Sequence, residues 1–380
     1  MTHVFVVDSG TFKYHLEYMF AGIGAGKDDN AKLSPFLINA SIAYPSTTER
    51  MLVGMIADIS RIRIGDNALF YLQSGDNNQG SFFGVFKVAS LPFFDENDQD
   101  NYLIAKTGKG LSFRVLIEPN QVFARGITEH EYLDSLIGKE HPCDLCWSLI
   151  YRKLKGKRGC TMITDYEFED FLQKVKAKNN NAVLDGENFT YDHKHNLIVS
   201  STTHHTYEGR MNSIDILPRL LYKSNRGNAF EAHLQAYLTQ NIDKMPLAEL
   251  LIPYPQKECW IGNEVSCGVG MQRIDLMLKQ ETAEEVVLRL IELKDGAPYA
   301  EIITDQIPWY LEWLSYYMIP KYAGKRIRVL PTVIANGRLS PQLQQVYQGF
   351  NQLVPNVIVE PLQYIGFTTT QSAIHFTRYL

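Results

Sequence analysis

The segments MQRIDLMLK (271–279) and VVLRLIELK (286–294) decide the fold of the C-terminal half of this chain. Both alternate or run apolar over lengths typical of β-strands, and the polar QETAEE between them predicts the turn of a hairpin. Side chains at i and i+2 of a strand share a face, so Glu292 and Lys294 point the same way. If Asp275 faces that side too, two carboxylates and one ammonium converge.

Such a group is typical of a metal-dependent phosphodiesterase. Mg²⁺ prefers oxygen ligands, so Asp275, Glu292 and the main-chain carbonyl of Leu293 are the predicted ligands, with Mn²⁺ as a substitute. Lys294 is expected to orient or help deprotonate the attacking water and to offset charge on the phosphorus. An isolated E-x-K more often marks a strand that emerges into solvent, so the neighbouring segments must decide.

A helix is predicted upstream of the hairpin. The segment NAFEAHLQAYLTQ (228–240) places apolar residues at helical spacing. Glu231 lies near its start and offers a third carboxylate.

A second helix is predicted downstream, over TDQIPWYLEWLSYYM (304–318). Thr304 or Asp305 is expected to cap it, with a proline in the first turn, where a missing N–H costs least. Gln306 and Tyr310 then fall at i and i+4 on one face.

Taken in this order, these residues resemble the PD-(D/E)xK nuclease superfamily, and the Q-x-x-x-Y pair resembles its RecB-like branch. RIDLM, LRLIELKDG and QIPWYLEWL, followed by RIRVLPTVIANGR (326–338) and VIVEPLQYIGF (357–367), are most similar to the catalytic domain of NucS-like mismatch endonucleases. The resemblance covers about 226–367 and implies a restriction-endonuclease-like α/β fold with a central mixed sheet. It also implies roles for six residues: Asp275 and Glu292 bind metal, Lys294 serves the water, and Glu231, Gln306 and Tyr310 support them.

The N-terminal part is dominated by short strands. HVFVVDSG (3–10) precedes TFKYHLEYMF, and IRIGDNALFYLQ (62–73) precedes SFFGVFKVAS (81–90). These segments resemble the PUA-like superfamily in its EVE and YTH branches, which implies a small β-barrel with helices and a pocket for a base. A flipped base stacks on aromatic rings while a small polar group reads its edge. The candidates are the rings of Phe36, Tyr44 and Trp147 and the polar side chains of Asp8, Ser9 and Asn39.

The predicted architecture is therefore α+β with two domains. A PUA-like recognition domain is placed at 1–175, a polar linker region at 176–225, and the nuclease domain at 226–380. The linker is inferred from polar stretches such as KNNN, DGEN and STTHH.

Charge is the main objection to a nucleic-acid partner, because the formal net charge is −5 and phosphate binding requires lysine and arginine. Two basic runs answer part of it. The first is predicted to contact the DNA backbone and comprises Arg152, Lys153, Lys155, Lys157 and Arg158. The second comprises Lys321, Lys325, Arg326 and Arg328.

Composition excludes other classes. The sequence contains no apolar run of about 18 residues, the length that a membrane span requires, and the N-terminus does not resemble a signal peptide. An odd number of cysteines, five in 380 residues, argues against a disulfide framework. A cytoplasmic protein is expected.

We interpret the sequence as a Mg²⁺-dependent, restriction-type DNA endonuclease that acts on double-stranded DNA as a homodimer. One alternative is a NucS-like repair nuclease for mismatched or branched DNA. Another is a non-catalytic nucleic-acid reader that uses the nuclease fold as a scaffold.

Overall fold

The chain divides into two units in the computed structural model, which describes residues 1–24, 49–75, 79–95, 100–145, 159–267 and 272–380. The first unit comprises Met1–Lys139 and Cys146–Asp215, and the second comprises Glu140–Leu145 and Ile216–Leu380. Each contains a mixed β-sheet with helices. The predicted α+β class is therefore confirmed, whereas the two family assignments remain predictions.

The first unit is built mainly from strands. Its strands are β1 (Thr2–Val7), β2 (Phe20–Ile23), β3 (Asn67–Leu72), β4 (Ser81–Val88), β5 (Phe93–Phe94), β6 (Phe113–Pro119), β7 (Ile127–Thr128), β8 (Cys160–Ile163), β9 (Phe189–Asp192), β10 (Leu197–Ser200) and β11 (Asn212–Ser213). Its helices are α1 (Ser9–Glu17), α2 (Glu49–Ser60), α3 (Ile104–Thr107), α4 (Glu129–Asp134) and α5 (Asp165–Lys178).

The main sheet of this unit has the order β11-β5-β6-β4-β3-β1-β8, with β2 on β6 and β7 on β4. Strand β1 is parallel to β3 and antiparallel to β8. A separate hairpin, β9–β10, packs on α1, where the Phe12 and Tyr191 rings lie 4.9 Å apart. The aromatic core so formed fixes α1 against the sheet.

The second unit carries the predicted hairpin. Its helices are α6 (Leu217–Asn225), α7 (Glu231–Asn241), α8 (Leu247–Leu251), α9 (Ile307–Tyr317) and α10 (Pro341–Gln348), and a π-helix over Ile302–Gln306 leads into α9. Its strands are β12 (Cys259–Ser266), β13 (Arg273–Glu281), β14 (Glu285–Leu293), β15 (Arg326–Asn336), β16 (Ile358–Val359), β17 (Gln363–Thr369) and β18 (Ile374–Arg378).

The sheet of the second unit has the order β12-β13-β14-β15-β17-β18, with β16 on β15. Strands β13 and β14 are antiparallel, whereas β15 is parallel to both β14 and β17. Strand β14 is buried along almost its whole length, which explains its unbroken apolar sequence. The central mixed sheet expected for this half is present.

The polar region predicted as a linker is organised differently. Residues 176–215 include β9, β10 and β11 and belong to the first unit, while α6 belongs to the second. Some of the polar residues form a turn within the first unit: Asp192 accepts hydrogen bonds from the main-chain N–H groups of Lys194 and His195 between β9 and β10.

No helix within the described ranges is both long enough and apolar enough to cross a bilayer.

Candidate active site

The hairpin brings the two predicted metal ligands together at one end of the sheet. Leu276 pairs with Ile291 across β13 and β14, so Asp275 and Glu292 follow as neighbours on the adjacent strands. Cross-strand neighbours of this kind lie on one face of the sheet. The condition that Asp275 shares the face of Glu292 is therefore met.

Lys294 lies at the centre of the group. Its Nζ donates to Glu292 Oε1 at 2.8 Å, to the carbonyl oxygen of Leu293 at 2.7 Å and to Glu231 Oε2 at 3.5 Å. The ammonium therefore contacts two of the three oxygen groups predicted to bind metal. Its Nζ also lies 5.9 Å from the ring centroid of Tyr299.

Asp275 is held by the main chain of the neighbouring strand. Its Oδ2 accepts the N–H of Leu293 at 2.8 Å, and its carbonyl oxygen accepts from Gln235 Nε2 at 2.9 Å. No described residue donates to Oδ1 of Asp275, so this oxygen keeps its lone pairs for another partner. Gln235 is a site residue that the sequence did not reveal, although its i, i+4 spacing from Glu231 places both residues on one face of the helix.

Tyr310 closes the site from α9. Its Oη lies 2.8 Å from Glu292 Oε2 and 3.0 Å from the carbonyl oxygen of Arg273, and its single proton is donated to one of them. Burial and the carboxylates of Glu292 and Asp275 raise the pKa of Tyr310 far above its usual value. The hydroxyl therefore stays protonated and acts as a hydrogen-bond donor.

Gln306 is placed differently from Tyr310. The expected continuous helix is interrupted, because Ile302–Gln306 is a π-helix and α9 begins only at Ile307. Neither Thr304 nor Asp305 caps α9, since the preceding turn is already helical. The Oε1 atom of Gln306 is buried and accepts no hydrogen bond from a described residue. The structure of the described residues shows no hydrogen bond between Gln306 and either Glu292 or Asp275.

Asp275, Glu231 and Lys294 have pKa values above their usual ranges. Burial and the Glu292 carboxylate raise the pKa of Asp275 well above its usual range, despite the Leu293 hydrogen bond. Burial acts to lower the pKa of Lys294, but Glu292, Asp275 and Glu231 together raise it above its usual value. Burial also raises the pKa of Glu231. Lys294 is thus a cation at neutral pH.

The raised pKa of Asp275 predicts a stability effect. The folded state binds the Asp275 proton more tightly than the unfolded state, so folding is penalised as pH rises above the unfolded pKa. We expect Asp275→Asn to raise the melting temperature by on the order of a few °C at pH 8, with a smaller gain at pH 4. The amide oxygen can still accept the Leu293 N–H. Thermal unfolding at both pH values measures this, and a lower melting temperature of the variant at pH 8 would contradict it.

The donor set fits a hard divalent cation. Asp275 Oδ1, Glu292 and the Leu293 carbonyl offer only oxygen, which Mg²⁺ and Mn²⁺ prefer over nitrogen and sulfur ligands. In the described part of the chain, no group of three or more His, Cys, Asp or Glu side chains is arranged to hold a metal. The proposed ligands are instead two carboxylates, of Asp275 and Glu292, and one carbonyl, of Leu293. The Lys294 ammonium already lies against Glu292 and the Leu293 carbonyl, so a positive charge is favourable at this place.

The second basic run is neutralised by carboxylates. Lys321 contacts Asp144 at 2.6 Å, and Lys325 contacts Glu281 at 2.6 Å. The two arginines of the run, Arg326 and Arg328, pair with Glu285, and Arg328 also pairs with Glu360. Its added role in binding DNA is therefore not supported, because each cation already has an acidic partner.

The first basic run and most of the predicted base pocket lie outside the described residues. These are Arg152, Lys153, Lys155, Lys157 and Arg158 for the run, and Phe36, Asn39, Tyr44 and Trp147 for the pocket. Asp8 and Ser9 are described. Asp8 caps α1 through Thr11 and pairs with Lys109, so its carboxylate already has a structural role, whereas Ser9 is exposed.

Comparison with known proteins gives little further information. No protein-family model matches the chain, and no curated protein is significantly similar to it. Among solved structures, the DUF55 domain of human thymocyte nuclear protein 1 aligns with a TM-score of 0.23 and 15% identity, over 31% of this chain and 71% of its own. Human THYN1 protein, solved in complex with DNA containing 5-methylcytosine, aligns with a TM-score of 0.29 and 9% identity, over 46% of this chain and 97% of its own.

A protein from Pseudomonas putida aligns with a TM-score of 0.27 and 12% identity, over 46% of this chain and 98% of its own. TM-scores below 0.3 do not establish a shared fold. The assignment of the N-terminal part to the PUA-like superfamily therefore remains a prediction from the sequence.

Proposed function

We propose that the second unit is a Mg²⁺-dependent nuclease that hydrolyses phosphodiester bonds of DNA. The observation that supports this most directly is the convergence of Asp275, Glu292 and Lys294 at the end of one hairpin, with Glu231 beside them. Burying like charges in one place is costly. A site that accepts this cost is a functional candidate.

Asp275, Glu292 and the Leu293 carbonyl would hold the metal. Mg²⁺ bound there would polarise a phosphate oxygen and lower the pKa of a coordinated water. The chain's own residues position these ligands: the Leu293 N–H orients Asp275, and Tyr310 orients Glu292. Each ligand is thus fixed by a group from a neighbouring element.

Lys294 would act as a donor rather than as a base. Its raised pKa keeps it protonated beside the carboxylates, so it can orient the attacking water and stabilise negative charge on the phosphate. A lysine ammonium is a compact charge with three donors. Of the three roles expected from the sequence, orientation and charge stabilisation are therefore favoured over deprotonation.

We infer that the first unit selects the site that is cut. Support for this inference comes from the sequence resemblance to base-reading domains and from Ser9, the first residue of α1, which is exposed. A pocket that encloses an extruded base recovers stacking and hydrogen bonds, whereas a cleft that contacts phosphates sees the same backbone everywhere. Reading and cutting would then reside in different units.

A plasmid assay tests the cleavage. The full-length protein is incubated with supercoiled plasmid in Mg²⁺, in Mn²⁺ and in chelator, and we expect nicking or cutting only with metal. Ca²⁺ is a useful control, because its looser geometry supports binding without hydrolysis. Absence of cleavage with either Mg²⁺ or Mn²⁺ on every substrate would favour the non-catalytic reader.

Matched substrates test the selection. Digestion of otherwise identical modified, unmodified and mismatched DNA, followed by mapping of the ends, separates the two nuclease hypotheses. Preference for a modified base or a fixed sequence supports a restriction-type enzyme. Preference for the mismatch irrespective of sequence would support the repair nuclease instead.

A further inference from the structure

Asp295 directly follows Lys294, and its side chain joins the site to α7, a helix that is distant in sequence. Its Oδ2 accepts the main-chain N–H of Phe230 at 2.5 Å and that of Glu231 at 3.1 Å. These N–H groups stand at the start of α7, which receives no cap from the side chain of its own preceding residue. Asp295 therefore caps α7 from 64 residues further along the chain.

This contact is favourable for two reasons. The first N–H groups of a helix have no partner within the helix, and a carboxylate also interacts well with the positive end of the helix dipole. Hydrogen bonds to a charged acceptor are stronger than those to a neutral acceptor. The two bonds therefore fix both the position and the direction of the first turn of α7.

Asp295 is itself held firmly. The N–H of Lys294 donates to the carbonyl oxygen of Ile334 at 2.9 Å, and the N–H of Asn336 donates to that of Gly296 at 3.1 Å. Main-chain bonds to β15 thus bracket Asp295 on both sides. Through Asp295, the start of α7 is attached to the central strands of the sheet rather than to a loop.

The consequence concerns Glu231, the first residue of α7. Its side chain is partly exposed, and its only described ion pair is the 3.5 Å contact with Lys294. This contact is long and the Glu231 side chain is partly exposed. The distance between Glu231 and Lys294 therefore depends on where α7 begins. We propose that Asp295 is a positioning residue of the nuclease site, holding α7 so that Glu231 faces Lys294. This inference rests on the proposed function of the same site.

A purely structural cap makes a different prediction from a positioning residue. Loss of a structural cap lowers stability and impairs cleavage, if at all, whether or not Glu231 is present. Loss of a positioning residue costs activity only through Glu231. The double variant Glu231→Ala/Asp295→Ala should then cleave no more slowly than Glu231→Ala alone.

The experiment compares full-length wild type, Asp295→Ala, Asp295→Asn, Glu231→Ala and the double variant. Cleavage is measured under single-turnover conditions with Mg²⁺, and hydrogen–deuterium exchange of residues 230–234 is measured without metal. We expect Asp295→Ala to cleave roughly 10- to 100-fold more slowly and to exchange faster at 230–234. Asp295→Asn keeps an acceptor oxygen and should restore both properties almost to wild type.

Ser340→Ala is the matched control. Ser340 caps α10 in the same unit by accepting the N–H of Leu343, so its loss removes a cap without touching the site. Unchanged cleavage by this variant supports the positioning role of Asp295, whereas an equal loss attributes the effect to stability.

Two further outcomes overturn the inference: protected amides at 230–234 in Asp295→Ala, and a further loss of cleavage in the double variant relative to Glu231→Ala. If wild type does not cleave, the proposed function fails. The exchange data then decide independently whether Asp295 holds α7, and slow exchange in Asp295→Ala overturns the inference.

Discussion

Glu292→Gln is expected to reduce DNA cleavage by at least ~10³-fold in Mg²⁺ while DNA binding survives. Glu292 is 3% exposed and contacts both Lys294 and Tyr310. Replacing it by an amide removes an anionic ligand. The loss falls mainly on the transition state, because charge stabilisation matters most when the phosphate is being attacked.

The fold should tolerate this change. The amide oxygen of glutamine can accept from Lys294, and the amide nitrogen can donate to the hydroxyl oxygen of Tyr310. The Tyr310 proton can then be donated to the carbonyl oxygen of Arg273, which lies 3.0 Å away. The variant should therefore remain folded, and reduced activity can be attributed to the lost charge.

Glu285→Gln is the matched control for Glu292→Gln. Glu285 begins the same strand and pairs with Arg326 and Arg328 at its opposite end. We expect this variant to cleave like wild type and to bind DNA equally well. Single-turnover cleavage and equilibrium binding in Ca²⁺ measure the two properties separately. Cleavage by Glu292→Gln at more than a tenth of the wild-type rate would refute the site assignment.

The hairpin was predictable because its signals are local. Strands β13 and β14 are continuous apolar or alternating segments around a polar turn, and period-2 alternation alone puts Glu292 and Lys294 on one face. The cross-strand position of Asp275 depended only on the register of a short turn. The central residues of the candidate site, Asp275, Glu292 and Lys294, therefore lie within about twenty residues of sequence.

The surroundings of the site were less predictable because they depend on tertiary contacts. The single helix expected over 304–318 is replaced by a π-helix over Ile302–Gln306 and an α-helix that begins only at Ile307. Propensity and capping rules do not reveal such a change, since Pro308 is compatible with the first turn in either case.

The basic run 321–328 shows the same limit. Its partners Asp144, Glu281, Glu285 and Glu360 are spread over the second unit. A run of basic residues in the sequence does not reveal which acidic residues will lie beside it in the folded protein. The same argument applies to the cap that Asp295 supplies to α7, since 64 residues separate donor and acceptor.

Lys294→Met is expected to reduce cleavage ~10²- to 10⁴-fold, the range typical for removal of a group that assists proton transfer or charge stabilisation. Methionine fills much of the space of the lysine stem but carries no charge and no donor. The attacking water and the phosphate lose their cationic partner, and Glu231, Asp275 and Glu292 lose the ammonium that separates them.

This second consequence gives a signature that a general loss of structure would not. Without the ammonium, the clustered carboxylates repel one another, so the metal-free variant should unfold at a lower temperature than wild type. A bound divalent cation replaces the missing charge. We therefore expect Ca²⁺ or Mg²⁺ to raise the melting temperature of Lys294→Met more than that of wild type, because a ligand that binds only the folded state stabilises it according to its affinity.

Lys279→Met is the matched control for Lys294→Met. Lys279 is a buried lysine of β13 that pairs with Glu281 and lies over the ring of Tyr322. Its replacement also removes a buried cation from the same sheet, but away from Asp275 and Glu292. It should leave cleavage unchanged and show no larger metal-dependent increase in melting temperature than wild type. If Lys294→Met cleaves at the wild-type rate, or if metal stabilises it less than wild type, Lys294 does not have the role that the geometry of the site assigns to it.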